Sequence, residues 1–488
     1  MSLSDTRVVV RLDSSHHNLT LHYTEKAFYI LHDLRKAGGP RHTRTHDVLH
    51  HNLLRVAFDG ATRSLTVSYI KPKKKNKPHA SLVVLTGVVQ GNVSNEVVST
   101  WAEGVMKSLY EDHGVLRCRR LLVFVNPHGG VGKGEKIFEK VVEPVLLAAG
   151  CDLTVVRTTH HGHAFDYVKD LELDKVDAIA TVSGDGLIHE VLNGLAQHAD
   201  PMSALRIPVA PIPAGSGNGL ALNLIGIKHG FDSASAALNI VKGRPMKTDL
   251  FSITQGGKRS FSFMSQSLGL MADLDLDTEH LRWMGDTRFI YGMLRGIVTF
   301  NPAPIQLSIK VTEDNKDVMA ETLFTRVQEK LSSGKEAAEE SSVRESGALP
   351  TLKYLPDDNE DWTVIEDPIL FVYAGQGPYV GRDYMAFPVS LPDDGMIDIA
   401  VMPLTSRGEI VSAISGAETG ENFWFPKLQY YKAQAYRVKP LSTKGNLSID
   451  GERFPFEEFQ VEVHPRLGTF LSCYGRYVAD FSPRTAKK

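Results

Sequence analysis

Between Ile179 and Gly194 the sequence reads IATVSGDGLIHEVLNG, and no other stretch limits the fold as strongly. Ile179 to Val182 has the apolar continuity of a buried strand. Ser183-Gly184-Asp185-Gly186 then turns sharply, and Leu187, Ile188, Val191, Leu192 and Leu195 recur at the spacing of an amphipathic helix. A strand that passes through a glycine-flanked acid into a helix sets one carboxylate at the carboxyl edge of a sheet, where open α/β sheets bind ligands. Glycines there let a substrate approach the backbone without meeting a Cβ. Taken alone, Asp185 either serves such a ligand or only caps the helix.

The flanking texture repeats the pattern. Leu121 to Val125 reads as a strand and leads into Asn126-Pro127-His128-Gly129-Gly130-Val131-Gly132-Lys133-Gly134, with a helix expected from about 135 to 149. Leu153 to Arg157 reads as a strand ending at Thr158-Thr159. Ile207 to Ile212 leads into Pro213-Ala214-Gly215-Ser216-Gly217-Asn218-Gly219. Such β-α-β-α alternation calls for a parallel sheet covered by helices. Three glycine-rich turns on one sheet edge offer N–H groups and helix N-termini to a polyanion. Neither the P-loop frame nor the dinucleotide fingerprint is present in them.

At 488 residues the chain exceeds one ordinary core. Residues 1–115 read as a β-rich module of short alternating strands closed by one helix, Glu96 to Tyr110, bearing Trp101. In arrangement, though in no specific motif, it resembles a pleckstrin-homology-like barrel. Residues 118–248 form the α/β domain. From 249 to 488 the pattern becomes β-rich and is expected to form an antiparallel β-sandwich, interrupted by a helical stretch over roughly 278–298. Within it, 326–361 is rich in Glu, Ser, Lys and Asp, the composition of a disordered surface insertion.

Composition narrows the function classes. A formal net charge of −3 argues against a general nucleic-acid binder. The three cysteines, Cys118, Cys151 and Cys473, support neither a disulfide framework nor a zinc site and suit a reducing compartment. The opening MSLSDTRVVVRLD has no apolar core of a signal peptide, and no run approaches a membrane span. Lys71-Pro72-Lys73-Lys74-Lys75-Asn76-Lys77 is either a solvated loop or a contact for anionic lipid headgroups.

Asn126-Pro127 with Gly129-Gly130, then Ser183-Gly184-Asp185-Gly186, then Pro213 to Asn218 resemble, in order, the signatures of the diacylglycerol kinase catalytic superfamily. Ser183 before Gly-Asp-Gly, Ala272-Asp273-Leu274-Asp275, and Asp450-Gly451-Glu452 resemble its sphingosine (long-chain base) kinase branch. The likeness covers about 118–475 apart from the acidic insertion. It implies a nucleotide-binding α/β domain plus a β-sandwich, with the γ-phosphate of ATP passing to the primary hydroxyl of a sphingoid base (sphingosine, dihydrosphingosine or phytosphingosine). It also implies Mg²⁺ and a cytoplasmic protein held peripherally on intracellular or plasma membranes.

By the same resemblance, Asp185 is the base that takes the acceptor proton, with Ser183, Gly184 and Gly186 as the acceptor floor. Asn126, His128, Thr158, Thr159, His160, His161, Gly162, Glu190, Gly215, Ser216 and Gly217 line the ATP site. Arg282 and Arg288 reach the phosphates, Asp450, Gly451 and Glu452 close over the nucleotide, and Asp275 takes the polar head of the lipid. The residues alone leave alternatives. Asp450-Gly451 could be a plain hairpin turn. Asp275 could pair with Arg282. Trp283, Met284, Phe289, Ile290, Met293, Leu294 and Ile297 could line an acyl pocket or pack the sandwich. No residue is assigned as a direct metal ligand. A diacylglycerol or ceramide kinase, or a catalytically silent lipid-binding scaffold, remains the competing reading.

Overall fold

Val8, Val10 and Leu12 alternate with Arg7, Val9 and Arg11, and in the computed structural model that alternation becomes a strand with one buried face. The structure describes all residues except 1–5, 15–16, 35–41, 73–79, 130–131, 278–301, 333–346, 356–357, 359, 415 and 482–488. The chain divides into two compact units. The first comprises 1–121, 136–154 and 232–244; the second comprises 122–135, 155–231 and 245–488.

In the first unit, seven antiparallel strands run β1 (Arg7–Leu12), β2 (Asn18–Tyr23), β3 (Phe28–Leu34), β4 (His42–Val48), β5 (Leu53–Asp59), β6 (Ser64–Lys71) and β7 (Ser81–Val89). They pair in the order β4-β3-β2-β1-β7-β6-β5. The helix Asn95–Leu109 follows, capped by Ser94, whose hydroxyl accepts from the Val97 N–H. Its Val98, Trp101, Val105 and Leu109 are buried, with the Trp101 ring 6.1 Å from Phe28. Buried Arg119 donates to the carbonyls of Val241 (3.0 Å) and Gly243 (2.6 Å), satisfying the end of the helix Ser233–Lys242.

The second unit is organised on one extended sheet. Its parallel part contains β8 (Arg120–Val125) from Leu122 on, β9 (Asp152–Arg157) from Val155 on, β10 (Ala178–Ser183) and β11 (Val209–Pro213). The strands that follow are β12 (Arg244–Gln255), β13 (Lys258–Ser262), β14 (Ser265–Gly269), β15 (Ile305–Glu313), β16 (Thr363–Ile365) and β17 (Ile369–Gly375). A small ribbon, β18 (Tyr379–Gly381) and β19 (Tyr384–Met385), stands apart from the sheet. The series ends with β20 (Ile397–Pro403), β21 (Gln429–Pro440), β22 (Leu447–Ile449), β23 (Glu452–Phe454) and β24 (Phe459–Ser472).

Hydrogen bonds run through β23-β22-β14-β17-β20-β21-β24-β11-β10-β8-β9, with β12 and β13 attached through β24 and β15 and β16 through β21. The joint is β24. Its first half pairs antiparallel with β21, while Phe470 lies opposite Val209 of β11 in parallel. Alternation along these strands feeds two cores. Leu268, Val372, Ile399 and Val461 point to one; Phe371 and Met402 point to the other, where Leu270 and Met271 of the helix Leu270–Leu276 join them.

The expectation of a disordered 326–361 is corrected at both ends. Residues 326–332 belong to the helix Lys316–Ser332, which buries Met319 and Ala320. Lys353 and Tyr354 donate their backbone N–H groups to the buried carboxylate of Glu462. Polar composition did not prevent order here, because a buried acceptor across the sheet compensates the backbone. The expected helix over 278–298, with Arg282, Arg288 and the apolar residues Trp283 to Ile297, lies outside the described residues.

Candidate active site

The buried strand β10 delivers Ser183 to the start of the helix Asp185–Ala196, and the adjoining β11 delivers the next glycine turn. The two turns touch through glycines. A Cβ on Gly184 would sit 2.6 Å from the Gly217 carbonyl, and one on Gly215 would collide with the Gly184 Cα. Only glycine allows this approach. The Asp185 N–H donates to the Gly217 carbonyl (3.2 Å), and Asn218 closes its own turn through bonds to both backbone groups of Gly215. The first glycine turn joins them: the Asn126 N–H donates to the Val182 carbonyl (3.1 Å), and the His128 N–H donates to Asn126 Oδ1 (3.0 Å).

Asp185 stands where these turns meet. Its Oδ2 accepts from the Gly219 N–H at 2.7 Å and its Oδ1 from the Leu220 N–H at 3.2 Å. Burial pushes the carboxyl up to about 6, the two N–H bonds opposing and the nearby charges of Asp450 and Asp275 adding to the rise. Such a group is mostly ionised near neutral pH yet retains a strong appetite for a proton.

A single cavity of about 810 Å³ opens over this carboxylate. At one end it is lined by Asn126, His128, Thr158, Thr159, His160, His161, Ser183, Gly184, Gly186, Glu190, Gly215, Ser216 and Gly217. Asp450, Gly451, Glu452 and Asp275 line it as well. Gly162 is absent from the lining; it precedes the helix His163–Lys169 in the left-handed region, at φ 87°. At the other end the walls are apolar, with Leu222, Phe231, Leu270, Met271, Leu274, Phe371, Met402, Ile410 and Leu428.

Asp450 is a hairpin-turn residue between β22 and β23, at φ 51°, and it is also an anchor. Oδ1 accepts from Ser262 Oγ, Met264 N and Ser265 N, while Oδ2 accepts from His189 and Phe263 N. Its neighbour Glu452 reaches over the Asp185 turn, for a Cβ on Gly186 would lie 2.6 Å from Glu452 Oε1. Asp275, on the helix Leu270–Leu276, accepts from Ser448 Oγ at 2.7 Å.

Residues 120–253 match the diacylglycerol kinase catalytic domain. The chain is 35% identical over 362 residues to sphingoid long chain base kinase 4 of Schizosaccharomyces pombe, covering 74% of this chain and 76% of that one. It is 31% identical to sphingoid long chain base kinase 5 of Saccharomyces cerevisiae, covering 77% of this chain and 62% of that protein. With human sphingosine kinase 1 it shares 31% identity over 72% of this chain and 91% of the human one. The chain belongs to the sphingoid long-chain base kinase family.

Sequence reasoning passed over several residues of this family member's site. His189 and Asn193 follow Asp185 at steps of four, so the three side chains share one helix face. Asn193 Nδ2 donates to the carbonyls of His189 and Phe261, and its Oδ1 accepts from the Phe261 N–H. That polar row was visible as a period, and polar residues at such a period also suit a solvated face. Tyr373, Arg382 and Tyr384 line the cavity too; on sequence they read as ordinary strand and loop positions.

Proposed function

We propose that this kinase transfers the γ-phosphate of ATP to the primary hydroxyl of a sphingoid base, giving the 1-phosphate. The observation that carries the reading is Asp185, a buried carboxylate titrating near 6 at the junction of a glycine-lined end and an apolar end of one cavity. Sphingoid base kinase is also what the relatives from two yeasts are named.

Asp185 takes the proton of the acceptor hydroxyl, held in aim by the Gly219 and Leu220 N–H groups. The glycine turns fit a polyphosphate, since they gather bare backbone N–H groups and a helix N-terminus at one place, where side chains at Gly184 or Gly215 would force the turns apart. Thr158, Thr159, His160, His161 and Glu190 flank the nucleotide, and Gly162 sets the turn that presents them. Among the described residues no three His, Cys, Asp or Glu side chains gather to hold a metal. A magnesium ion that uses one or two carboxylates and otherwise phosphate oxygens suits such a donor set, with Glu452 the carboxylate that reaches over the turn. Glu452 would hold such an ion, whose charge would offset that of the phosphates during transfer. Asp450 holds the hairpin that carries Glu452, and Asp275 receives the ammonium and 3-hydroxyl of the lipid, donors that diacylglycerol lacks. Arg282 and Arg288 supply cations to the phosphates.

In this reading the second half of the chain is the lipid-binding, sandwich-like domain, and the first 115 residues are a pleckstrin-homology-like module, supported by its seven-strand order and the Trp101 helix. Among the described residues no helix is long and apolar enough to cross a membrane. The lysine run beginning at Lys71 contacts an anionic membrane surface. Labelled ATP offered with sphingosine, ceramide and diacylglycerol tests the assignment. The sphingoid base 1-phosphate is the expected product, and label in ceramide or diacylglycerol instead would overturn it.

A further inference from the structure

Two phenols stand among the apolar walls of the cavity. Tyr373 on β17 and Tyr384 on β19 both line the cavity, their ring centroids 6.0 Å apart. Each is only partly buried, and each lies against the apolar core that walls the cavity. The Tyr373 hydroxyl lies beside Ser265 and near Asp275 and Asp185. Burial above all, with the Asp275 charge next, keeps that phenol protonated, so it can both donate and accept.

That phenol is rigidly placed. Tyr373 pairs with Ser267 of β14 on one side and Ala400 of β20 on the other, and its ring meets Phe387 edge-on at 5.4 Å. Ser265 is pinned twice by Asp450, which accepts from its N–H at 2.9 Å and donates to its carbonyl at 2.7 Å. A chamber serving only a hydrocarbon chain would be served as well by phenylalanine, which has the same ring without a polar atom to satisfy.

The chemistry of the head then divides between two groups. An ionised carboxylate is acceptor only, so Asp275 suits the ammonium and the 3-hydroxyl as donors. The next carbon along the base is C4. We propose that Tyr373, with Ser265 beside it, is a specificity-determining subsite for a hydroxyl on C4, so that the kinase favours 4-hydroxylated sphingoid bases over those that lack the group. A site built to hydrogen-bond a hydroxyl discriminates against the analogue without it, because its own polar atoms then go unmatched. This inference rests on the sphingoid-base reading.

The test compares kcat/KM for 4-hydroxysphinganine, sphinganine and sphingosine of equal chain length, in the full-length protein and in Tyr373→Phe, with KM for ATP and Tm as controls. One neutral hydrogen bond corresponds to about tenfold in preference. The full-length protein should favour 4-hydroxysphinganine by about that factor. Tyr373→Phe should erase the preference through a higher KM for the 4-hydroxylated base, a rise several-fold larger than any for sphinganine, with KM for ATP and Tm read as controls. Equal loss for all three bases would mark Tyr373 as structural and overturn the proposal. So would a preference that survives Tyr373→Phe, or one for the sphingosine double bond. If no base is phosphorylated while diacylglycerol is, the sphingoid-base reading itself fails and takes this subsite with it; equal turnover of all bases overturns the subsite alone.

Discussion

His189 Nδ1 lies 2.9 Å from Asp450 Oδ2, tying the helix that begins at Asp185 to the hairpin that carries Glu452. With a carboxylate as its partner, Nδ1 is the protonated nitrogen of that ring. The tie fixes Glu452 relative to the glycine turns although neither tied residue is needed to touch a phosphate.

His189→Ala should therefore loosen the hairpin and raise KM for ATP several-fold while changing the KM for the lipid less. A hydrogen bond to a charged group contributes about 1.5–3 kcal/mol, so urea unfolding should show a loss of that order. Unchanged ATP kinetics together with unchanged stability would mean that the bond does nothing for either.

Asp185→Asn should abolish phosphoryl transfer and leave ATP affinity within about tenfold, because an amide cannot accept the proton. The pH profile carries a second check. Burial raises this carboxyl to about 6, so it is protonated, and useless as a base, below that value. Turnover should fall about tenfold per pH unit on the acid side. The stability sign is the opposite: a raised pKa means that the ionised form costs folding energy, a cost relieved as pH drops through 6. An acid limb near 4 in kcat/KM would be at odds with this environment.

Asn223 is buried on the helix Gly219–Ile225 and clamps β18 through both ends of its amide, donating to the Tyr379 carbonyl at 2.9 Å and accepting from the Tyr379 N–H at 2.7 Å. Asn223→Ala leaves two backbone groups unmatched. Each such group costs about 1–3 kcal/mol, so the variant should lose several degrees of Tm, with Asn223→Gln intermediate.

The α/β alternation and the three glycine turns could be read directly, because buried parallel strands are unbroken apolar runs and glycine is needed where Gly184 meets Gly215. The continuity of the sheet could not. It depends on Phe470 meeting Val209, a pairing 261 positions apart that leaves no local trace in β24. Asp450 sits in the left-handed region, at φ 51°, where its Asp-Gly sequence already signals a turn. Its five donors come from distant positions and are visible only in the folded chain. Tyr373 alternates like any strand residue, and nothing nearby in sequence distinguishes a ring that meets a cavity from one that meets a core.

The acidic stretch gives the sharpest contrast between composition and structure. On composition, all of 330–358 should be removable without consequence. Its return arm is nonetheless strapped down. Glu462, 2% exposed, accepts the N–H groups of Lys353 and Tyr354. Gln460 Nε2 donates to the Tyr354 carbonyl at 2.6 Å, Arg259 to the Pro350 carbonyl at 2.8 Å, and Arg437 to the Asp358 carbonyl at 2.6 Å. Replacing 333–346 by a Gly-Ser linker of the same length should leave Tm and turnover unchanged. Extending the replacement through 358 removes the side chains that hold the strap, so ordering the backbone donors to Glu462 costs more entropy, and a charged bond of that kind is worth about 1.5–3 kcal/mol when it is lost. The longer variant should melt several degrees lower, and Glu462→Ala in the intact chain should reproduce part of that loss. Equal melting of the two linker variants would mean that the strap contributes nothing.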